Sequence, residues 1–155
     1  MWRRGEYFIS TDRSLLDHEA VHRFISTESY WGLGRSPELM RRAADNSTLC
    51  FGVYRDGGQG REQAGFARVL SDLATFGYVA DLFILSGHRG KGLGKWLMQT
   101  IAGHPELSEV RRLALFTATP GFYSEFGFTV YEHTGQSVFM TRVAAPDGRS
   151  PGDIA

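Results

Sequence analysis

The sequence predicts a mixed α/β domain in which helices flank an antiparallel meander, and three observations indicate this. Two stretches, residues 14–26 and 36–46, carry apolar residues at helical spacing. Three apolar strand-like runs joined by short polar turns follow them. The last of these strands leads through a glycine-rich turn into a third helical run. At 155 residues the chain has the size of one domain with its own core.

The first third of the chain is predicted to form one strand and two helices. A short strand is expected over residues 6–10. Ser14 and Asp17 have the spacing of a capping box, which predicts that the first helix begins at Ser14. Ser36 is expected to cap the second helix, because Pro37 directly after it suits the first helical turn.

The rest of the chain supplies the other strands. Residues 48–54, 64–70 and 75–85 are predicted to form the meander, with a turn at 56–58 closing its first hairpin. The later predicted elements are a helix over 92–103, a strand over 112–117, a short helix from Pro120 that breaks at Gly127, a strand directly after it, and a final strand over 137–143. The tail 144–155 is rich in Pro, Gly and Asp and is expected to be loose, so the domain would comprise residues 1–143.

Composition and charge argue against several classes of protein. The 17 Lys and Arg residues balance the 17 Asp and Glu residues, which gives no electrostatic reason to expect nucleic acid or an anionic membrane as a partner. No run is apolar and long enough to span a membrane, no signal peptide is visible, and the single cysteine, Cys50, fits a reducing compartment. A cytoplasmic protein is therefore expected. His18 and His22 lie one helical turn apart without a third ligand, so no metal site is expected.

The stretch 86–95, Ser-Gly-His-Arg-Gly-Lys-Gly-Leu-Gly-Lys, is the strongest functional signal in the chain. It joins an apolar strand to a helix, and no Ser, Thr, Asp or Asn stands at the helix start to accept the free backbone N–H groups. Its glycines let a ligand approach the backbone, while Arg89, Lys91 and Lys95 add charge to the positive end of the helix dipole. This combination predicts an anion site, for which phosphate is the usual occupant.

The spacing within this loop distinguishes between types of phosphate loop. A Walker A loop needs glycine where Arg89 stands and a hydroxyl where Trp96 stands, and neither frame of a dinucleotide loop retains its last glycine. The pattern that is present is Arg-x-x-Gly-x-Gly, at Arg89, Gly92 and Gly94. This pattern resembles the coenzyme A pyrophosphate loop of the GNAT (GCN5-related) N-acetyltransferase superfamily.

A second segment strengthens this resemblance. The run Phe122–Phe128, Phe-Tyr-Ser-Glu-Phe-Gly-Phe, is similar to the family's aromatic-Tyr-x-x-x-Gly-Phe motif. The order of predicted elements also resembles the family's topology, most closely over residues 30–129. One departure is Ser86, where family members often carry Pro. The resemblance implies the GNAT fold, a twisted and mostly antiparallel sheet with two splayed parallel strands, which would be residues 77–85 and 112–117 here.

The resemblance also implies a cofactor, acetyl-CoA, lying between the splayed strands. Backbone groups of Phe83, Ile84 and Leu85 would bind the pantetheine arm and polarise the thioester carbonyl. The pyrophosphate would be held by backbone N–H groups of the loop, namely those of Arg89, Gly90, Lys91, Gly92, Leu93, Gly94 and Lys95. Tyr123 matches the family's general acid, which protonates the departing CoA thiolate. The alternative for Tyr123 is a core tyrosine that packs the short helix.

The residues that would deprotonate and select the acceptor are less clearly indicated. Asp81 interrupts an apolar strand, where an unpaired carboxylate would be costly, so it is either a general base or a partner of a neighbouring helix or loop. Alternation would put it on the face of Val79 and Phe83. Asp72 and Glu28 are weaker candidate bases in loops. Four aromatic residues could line an acceptor pocket or be ordinary packing: Tyr30, Trp31, Phe76 and Tyr78.

These observations together predict an N-acetyltransferase that transfers the acetyl group of acetyl-CoA to a primary amine of a small molecule or a peptide, by direct attack without an acyl-enzyme. Two alternatives stay open: a non-catalytic acyl-CoA-binding or regulatory module on the same fold, and a nucleotide-binding protein with a similar glycine turn. Neither the acceptor nor the choice between monomer and homodimer follows from the sequence.

Overall fold

The computed structural model describes residues 1–132 and 135–144. Within that part, the helices and strands are, in chain order, β1 (Trp2–Arg4), β2 (Tyr7–Ser10), α1 (His18–Thr27), α2 (Pro37–Asp45), β3 (Leu49–Gly57), β4 (Gly60–Ser71), β5 (Phe76–Ile84), α3 (Leu93–Ala102), β6 (Arg112–Ala114) and α4 (Pro120–Ser124).

The strands form one curled, mixed sheet in the order β1-β2-β3-β4-β5-β6. All neighbours are antiparallel except β5 and β6, which run parallel with Phe76 opposite Arg112 and Tyr78 opposite Ala114. The predicted meander is therefore confirmed as β3, β4 and β5, and its first hairpin closes with Gly57 opposite Gly60. Because β6 pairs with no residue of β5 after Tyr78, the two parallel strands separate toward the carboxyl end of β5.

The first two helices begin at different kinds of cap. Ser36 caps α2 as predicted, its hydroxyl accepting from the N–H of Leu39 at 3.1 Å. The prediction that Ser14 begins α1 is wrong, because Ser14 lies in a separate 3-10 turn whose cap is Asp12. Asp17 is the true cap of α1 and accepts from the N–H of Ala20 at 3.0 Å.

The two faces of the sheet carry different helices. Helices α1 and α2 cover one face, and α3 packs on the other against β3 and β5. On the first face lies a buried cluster in which Phe24 stacks on Phe83 with a centroid distance of 4.1 Å. The buried members of this cluster are Val21, Phe24, Ile25, Met40, Ala44, Cys50, Phe66 and Phe83. Burial raises the pKa of the Cys50 thiol, so Cys50 behaves as a small core residue.

Several predicted strands differ from the observed ones. The strand β1 was not predicted, because its three residues are mostly charged or exposed. The strand predicted over 112–117 ends at Ala114. No strand follows Gly127 and none spans 137–143 in the described part of the chain, so those two predictions are wrong. Short apolar runs do not by themselves create a strand, since a strand needs a partner edge.

The chain divides into two compact units, Met1–Ala118 and Thr119–Ala155. The first contains the sheet and helices α1 to α3. The second contains α4, around which the rings of Phe122, Tyr123, Phe126 and Phe128 contact one another. Of the tail predicted to be loose, residues 145–155 lie outside the described residues.

Candidate active site

The loop between β5 and α3 has the backbone of an anion site. A 3-10 turn, Ser86–His88, follows β5. Gly90 and Gly92 then adopt φ values of +77° and +72°, which non-glycine residues rarely take. Gly92 is the N-cap of α3, and no side chain caps the first N–H groups of this helix. These donors are therefore available to a ligand at the positive end of the helix dipole.

Three cationic side chains contact residues in or beside this loop. The Nε atom of Arg89 donates to the Ile84 carbonyl at 2.9 Å. The Nζ atom of Lys91 lies 5.8 Å from the centroid of the Tyr7 ring. The sequence did not point to Arg4, whose Nη1 atom comes within 3.5 Å of the Gly92 carbonyl oxygen. Because Arg4 is distant in sequence, only the curl of the sheet brings its charge to the loop.

A buried histidine fixes the loop to the sheet. The Nδ1 atom of His88 lies 3.0 Å from the Tyr7 hydroxyl, and its Nε2 atom lies 3.4 Å from a carboxylate oxygen of Glu62. The backbone N–H of His88 also donates to the Leu85 carbonyl at 2.9 Å. These contacts hold the loop where β5 ends, so the free N–H groups of α3 keep a defined direction.

Two glycines of the loop have open space beside them. A Cβ atom placed on Gly90 would meet nothing within 4 Å, and one on Gly92 would meet only the Arg4 guanidinium, at 3.6 Å. A diphosphate site needs backbone N–H donors, cations and open space above glycine backbone. The sequence-predicted loop residues, Arg89 to Lys95, make up the turn after the 3-10 segment and the first residues of α3.

The end of β5 offers fewer backbone groups than predicted. The N–H of Leu85 donates to the Ala64 carbonyl at 2.8 Å, and its carbonyl accepts from His88. The backbone N–H of Leu85 is therefore already used within the protein, unlike the prediction that it would bind the pantetheine arm. Phe83 and Ile84 lie on the stretch of β5 that β6 leaves uncovered.

Asp81 lies in a β-bulge. Phe66 is opposite Phe83 and Arg68 is opposite Ala80. Between these two pairs β5 advances by three residues and β4 by only two. Asp81 takes up the extra residue with φ at +54°, a conformation that Asp tolerates better than most residues. The bulge breaks the alternation, and Val79 therefore points to the opposite face from Phe83, contrary to the prediction.

The Asp81 carboxylate is fully engaged by three donors. Its Oδ2 atom accepts from Arg68 Nε at 2.6 Å and from Arg35 Nη1 at 2.9 Å. Its Oδ1 atom accepts from Trp31 Nε1 at 3.0 Å. The carboxylate side chain is only 3% exposed. We call these four residues, Trp31, Arg35, Arg68 and Asp81, the clasp. It ties the loop before α2 to the neighbouring strands β4 and β5, and sequence reasoning missed both of its arginines.

The predicted aromatic residues separate into two groups. Tyr30 and Trp31 make an edge-on contact with a centroid distance of 5.2 Å, and the Tyr30 hydroxyl accepts from the Ala118 N–H at 3.0 Å. Tyr78 makes a similar contact with Phe116 at 6.0 Å. Trp31 also belongs to the clasp, through the bond from its indole N–H to Asp81. Phe76 is exposed at the start of β5.

The two weaker candidate bases have other roles or none. Glu28 is exposed and follows α1 as its C-cap. Asp72 caps the turn that leads into β5. Its Oδ1 atom accepts from the N–H groups of Ala74, Thr75 and Phe76, and its Oδ2 atom accepts from the Thr75 hydroxyl. The turn also binds the chain entering β6, because the Ala74 carbonyl accepts from the Arg111 N–H at 3.1 Å.

Asp72 should make the protein sensitive to acid. The Thr75 hydroxyl, and then the three backbone N–H groups, hold the pKa of Asp72 well below its usual 3.8. A carboxyl with a lowered folded-state pKa stabilises the protein above its unfolded-state pKa and loses that contribution as the pH falls. We expect Asp72→Asn to lower the Tm at pH 7, with a smaller deficit at pH 3, as measured by thermal unfolding. A deficit that is constant between these pH values would contradict the assignment. Asp56→Asn, which removes an exposed carboxylate paired with Arg3, is the control.

Tyr123 lies in the second unit, on the last turn of α4. Its half-buried ring contacts Phe122 with a centroid distance of 4.9 Å and Phe128 at 6.1 Å. Pro120 occupies the first turn of α4, and Gly127 ends the segment with φ at +85°. The aromatic-Tyr-x-x-x-Gly-Phe pattern therefore corresponds to a short helix, an αL glycine and a set of rings that hold the tyrosine.

Two further properties bear on the kind of site this is. No three His, Cys, Asp or Glu side chains among the described residues are grouped so that they could bind a metal ion. Over the same part of the chain, no helix combines the length and the apolar character that crossing a membrane demands.

Comparisons with known proteins agree on one family. Residues 46–130 match the sequence model of the acetyltransferase (GNAT) domain. A Gibberella zeae protein described as an acetyltransferase is 36% identical over 134 residues, covering 75% of this chain and 74% of its own. The crystal structure of a protein assigned to the GNAT family, from Xanthomonas campestris pv. campestris, is 40% identical, with a TM-score of 0.80 over 92% of this chain and 96% of that one.

A more distant structure shares the fold. A Mycobacterium tuberculosis protein solved in complex with CoA is 16% identical, with a TM-score of 0.66 over 84% of this chain and 76% of its own. The family match includes both the glycine loop after β5 and the aromatic segment of α4. With the fold, the loop and the two close relatives in agreement, the chain belongs to the GNAT family of acetyltransferases.

Proposed function

We propose that this protein transfers the acetyl group of acetyl-CoA to a primary amine by direct attack within a ternary complex. The observation that carries the proposal is the start of α3, where no side chain caps the helix and two glycines with positive φ lie in a loop that carries several cations. The distant relative solved with CoA supports the same ligand. The stretch of β5 that β6 leaves unpaired supports the proposal, because the rest of that ligand would lie there.

In the proposed mechanism the protein positions acetyl-CoA and the amine, polarises the thioester and protonates the leaving CoA sulfur. The α3 N–H groups and the loop cations hold the diphosphate, and backbone groups at Phe83 and Ile84 orient the thioester, which supplies an activated acetyl group. Holding the two reactants together removes much of the entropic cost of their encounter. The amine nitrogen attacks the thioester carbon and loses a proton to water, and Tyr123 donates a proton to the CoA sulfur as the carbon–sulfur bond breaks and the amide is left.

We assign Asp81 a positioning role instead of that of a base. Its Oδ2 atom already accepts from Arg35 and Arg68, and its Oδ1 atom accepts from Trp31, so both oxygens are bound to protein donors and the side chain is almost fully buried. Breaking the ion pairs of Asp81 with Arg35 and Arg68 would destabilise the protein, because it would leave a buried charge unpaired. Asp81 therefore holds the acceptor side of the site in shape.

A comparison of ligands in thermal unfolding tests the proposal. Acetyl-CoA, CoA, ATP and NAD are each added to the purified protein, and binding to the native state at a hundredfold excess over Kd adds about 2.7 kcal/mol of stability. We expect acetyl-CoA and CoA to raise the Tm, with ATP and NAD having little effect. Stabilisation by ATP or NAD without any by CoA would support a nucleotide-binding protein instead.

Turnover separates an enzyme from a binding module. Release of the CoA thiol is followed with acetyl-CoA and a broad panel of amines, both small molecules and peptides. Amine-dependent thiol release is the expected result. Tight CoA binding with no release over the whole panel would favour a non-catalytic acyl-CoA-binding module. Self-association as a homodimer stays a prediction, for which sedimentation equilibrium is the measurement.

A further inference from the structure

The clasp carries more positive than negative charge in a nearly closed setting. Two guanidiniums, those of Arg35 and Arg68, meet one carboxylate, that of Asp81. The arginine side chains are only 18% and 13% exposed. Taking an extra charge out of water is costly unless a counter-ion is present. The described residues supply no second carboxylate to either arginine.

The two guanidiniums also keep unused donors. Both bind the same oxygen of Asp81, Arg68 through Nε and Arg35 through Nη1. The other contacts of these side chains are weak ones, from Arg68 Nη1 to the Ser47 hydroxyl at 3.4 Å and from Arg35 Nη1 to the Met40 sulfur at 3.4 Å. The Nη2 atoms of both arginines have no acceptor within the described part of the chain. These Nη2 atoms are accessible to solvent. Among the described residues, the Tyr54 hydroxyl is the one fully buried side-chain polar atom without a hydrogen-bond partner.

The clasp lies beside the stretch of β5 where the thioester would be. Arg68 is opposite Ala80, and Tyr78 precedes Ala80 by two residues, so these side chains share one face of the sheet. Tyr78 is also the last residue of β5 that β6 pairs with. The charges felt by the Tyr78 phenol are those of Arg68, Asp81 and Arg35, while burial raises its pKa. Aromatic rings, two arginines and the open strand edge therefore occupy one neighbourhood of the first unit.

We propose that Arg35 and Arg68 bind an anionic group of the acceptor, so that the substrates are amines that also carry a carboxylate or a phosphate. This inference rests on the proposed acetyl transfer and names its substrate class. Guanidinium forks match the planar geometry of carboxylates and the oxygens of phosphates, and these charge-assisted bonds are strong. Asp81 and Trp31 hold the forks in place, and Asp81 balances one of the two charges.

The test with the wild-type protein compares matched acceptors. Amino acids are assayed against their carboxamides and amino-sugar phosphates against the parent amino sugars, both by thiol release and by thermal shift of the CoA-bound protein. We expect one anionic class to be preferred by about 10- to 100-fold in kcat/KM or in binding, as expected for the loss of one or two hydrogen bonds to a charged group. Which class is preferred identifies carboxylate or phosphate. Equal or better use of the neutral forms, or no gain in turnover or binding for any anionic form, overturns the proposal.

Variants connect the preference to the two arginines. Arg35→Gln leaves Arg68 to neutralise Asp81, so it should fold, and we expect it to raise KM for the anionic acceptor about 10- to 100-fold, with KM for acetyl-CoA unchanged. Arg35→Lys should restore part of the loss, and Arg42→Gln, which removes an exposed charge from α2, should have no effect. An equal loss with anionic and neutral acceptors would mean that the clasp is only structural. If the wild-type protein did not bind CoA at all, the proposed acetyl transfer itself would be refuted. Failure of the acceptor proposal and failure of the acetyl-transfer proposal can therefore be told apart.

Discussion

Replacement of Tyr123 by Phe is expected to lower kcat by about 10²- to 10⁴-fold while the affinity for acetyl-CoA stays nearly unchanged. The phenol would donate the proton that makes CoA a good leaving group, and Phe lacks that donor. The ring itself would keep its place, because its contacts with Phe122 and Phe128 do not use the hydroxyl. Stopped or continuous thiol-release assays measure kcat, and calorimetry measures the Kd for acetyl-CoA.

A second tyrosine of the same unit provides the control for this variant. Tyr131 is partly exposed, and its hydroxyl donates to the Ser137 carbonyl at 3.3 Å. Tyr131→Phe removes the same atom and should leave kcat within about twofold, as expected for a surface change. If Tyr123→Phe also left kcat intact, Tyr123 would be a packing residue of the short helix. Turnover would then need another proton source.

The parts of the fold that could be predicted from the sequence are those governed by local chemistry. The Ser36 cap with its following proline, the hairpin at Gly57, and the uncapped glycine start of α3 all lie where the sequence indicates. Each depends on a few adjacent residues and their preferred backbone angles. The first helix shows the limit of this reasoning. Both Asp12 and Asp17 compete with Ser14 as caps, and the 3-10 turn resolves the choice.

The candidate site was predictable only in part, because half of it depends on contacts between distant segments. The loop cations were visible as a sequence motif, but Arg4 reaches Gly92 across 88 positions. Likewise, Asp81 stood out as a carboxylate in an apolar strand, yet its partner Arg35 lies 46 positions away. The β-bulge puts Val79 and Phe83 on opposite faces of the sheet, and period-two alternation cannot anticipate a bulge. One signal was available: a second buried charge, Arg68, interrupts the neighbouring apolar strand.

Replacement of Gly92 by Val is expected to abolish measurable CoA binding. The φ of +72° at Gly92 is one that a β-branched residue adopts only with strain, so the variant would shift the backbone that aims the first N–H groups of α3. A side chain there would also occupy the space over the backbone, next to the Arg4 guanidinium. Both effects act on the donors that hold the diphosphate. Calorimetry with CoA measures the affinity directly.

A control must separate the effect of backbone strain on stability from the loss of the CoA-binding site. Gly60 has φ at +106° in the β3–β4 hairpin and has open space around it, so Gly60→Val imposes a comparable backbone penalty away from the loop. We expect Gly60→Val to lower the Tm but to retain CoA binding. Gly92→Asn, which tolerates positive φ better than Val, should recover stability without recovering full affinity, since its side chain still lies near the approaching diphosphate. Normal CoA affinity in Gly92→Val would show that the α3 start does not bind the diphosphate, and the cofactor would then have to be held elsewhere on the fold.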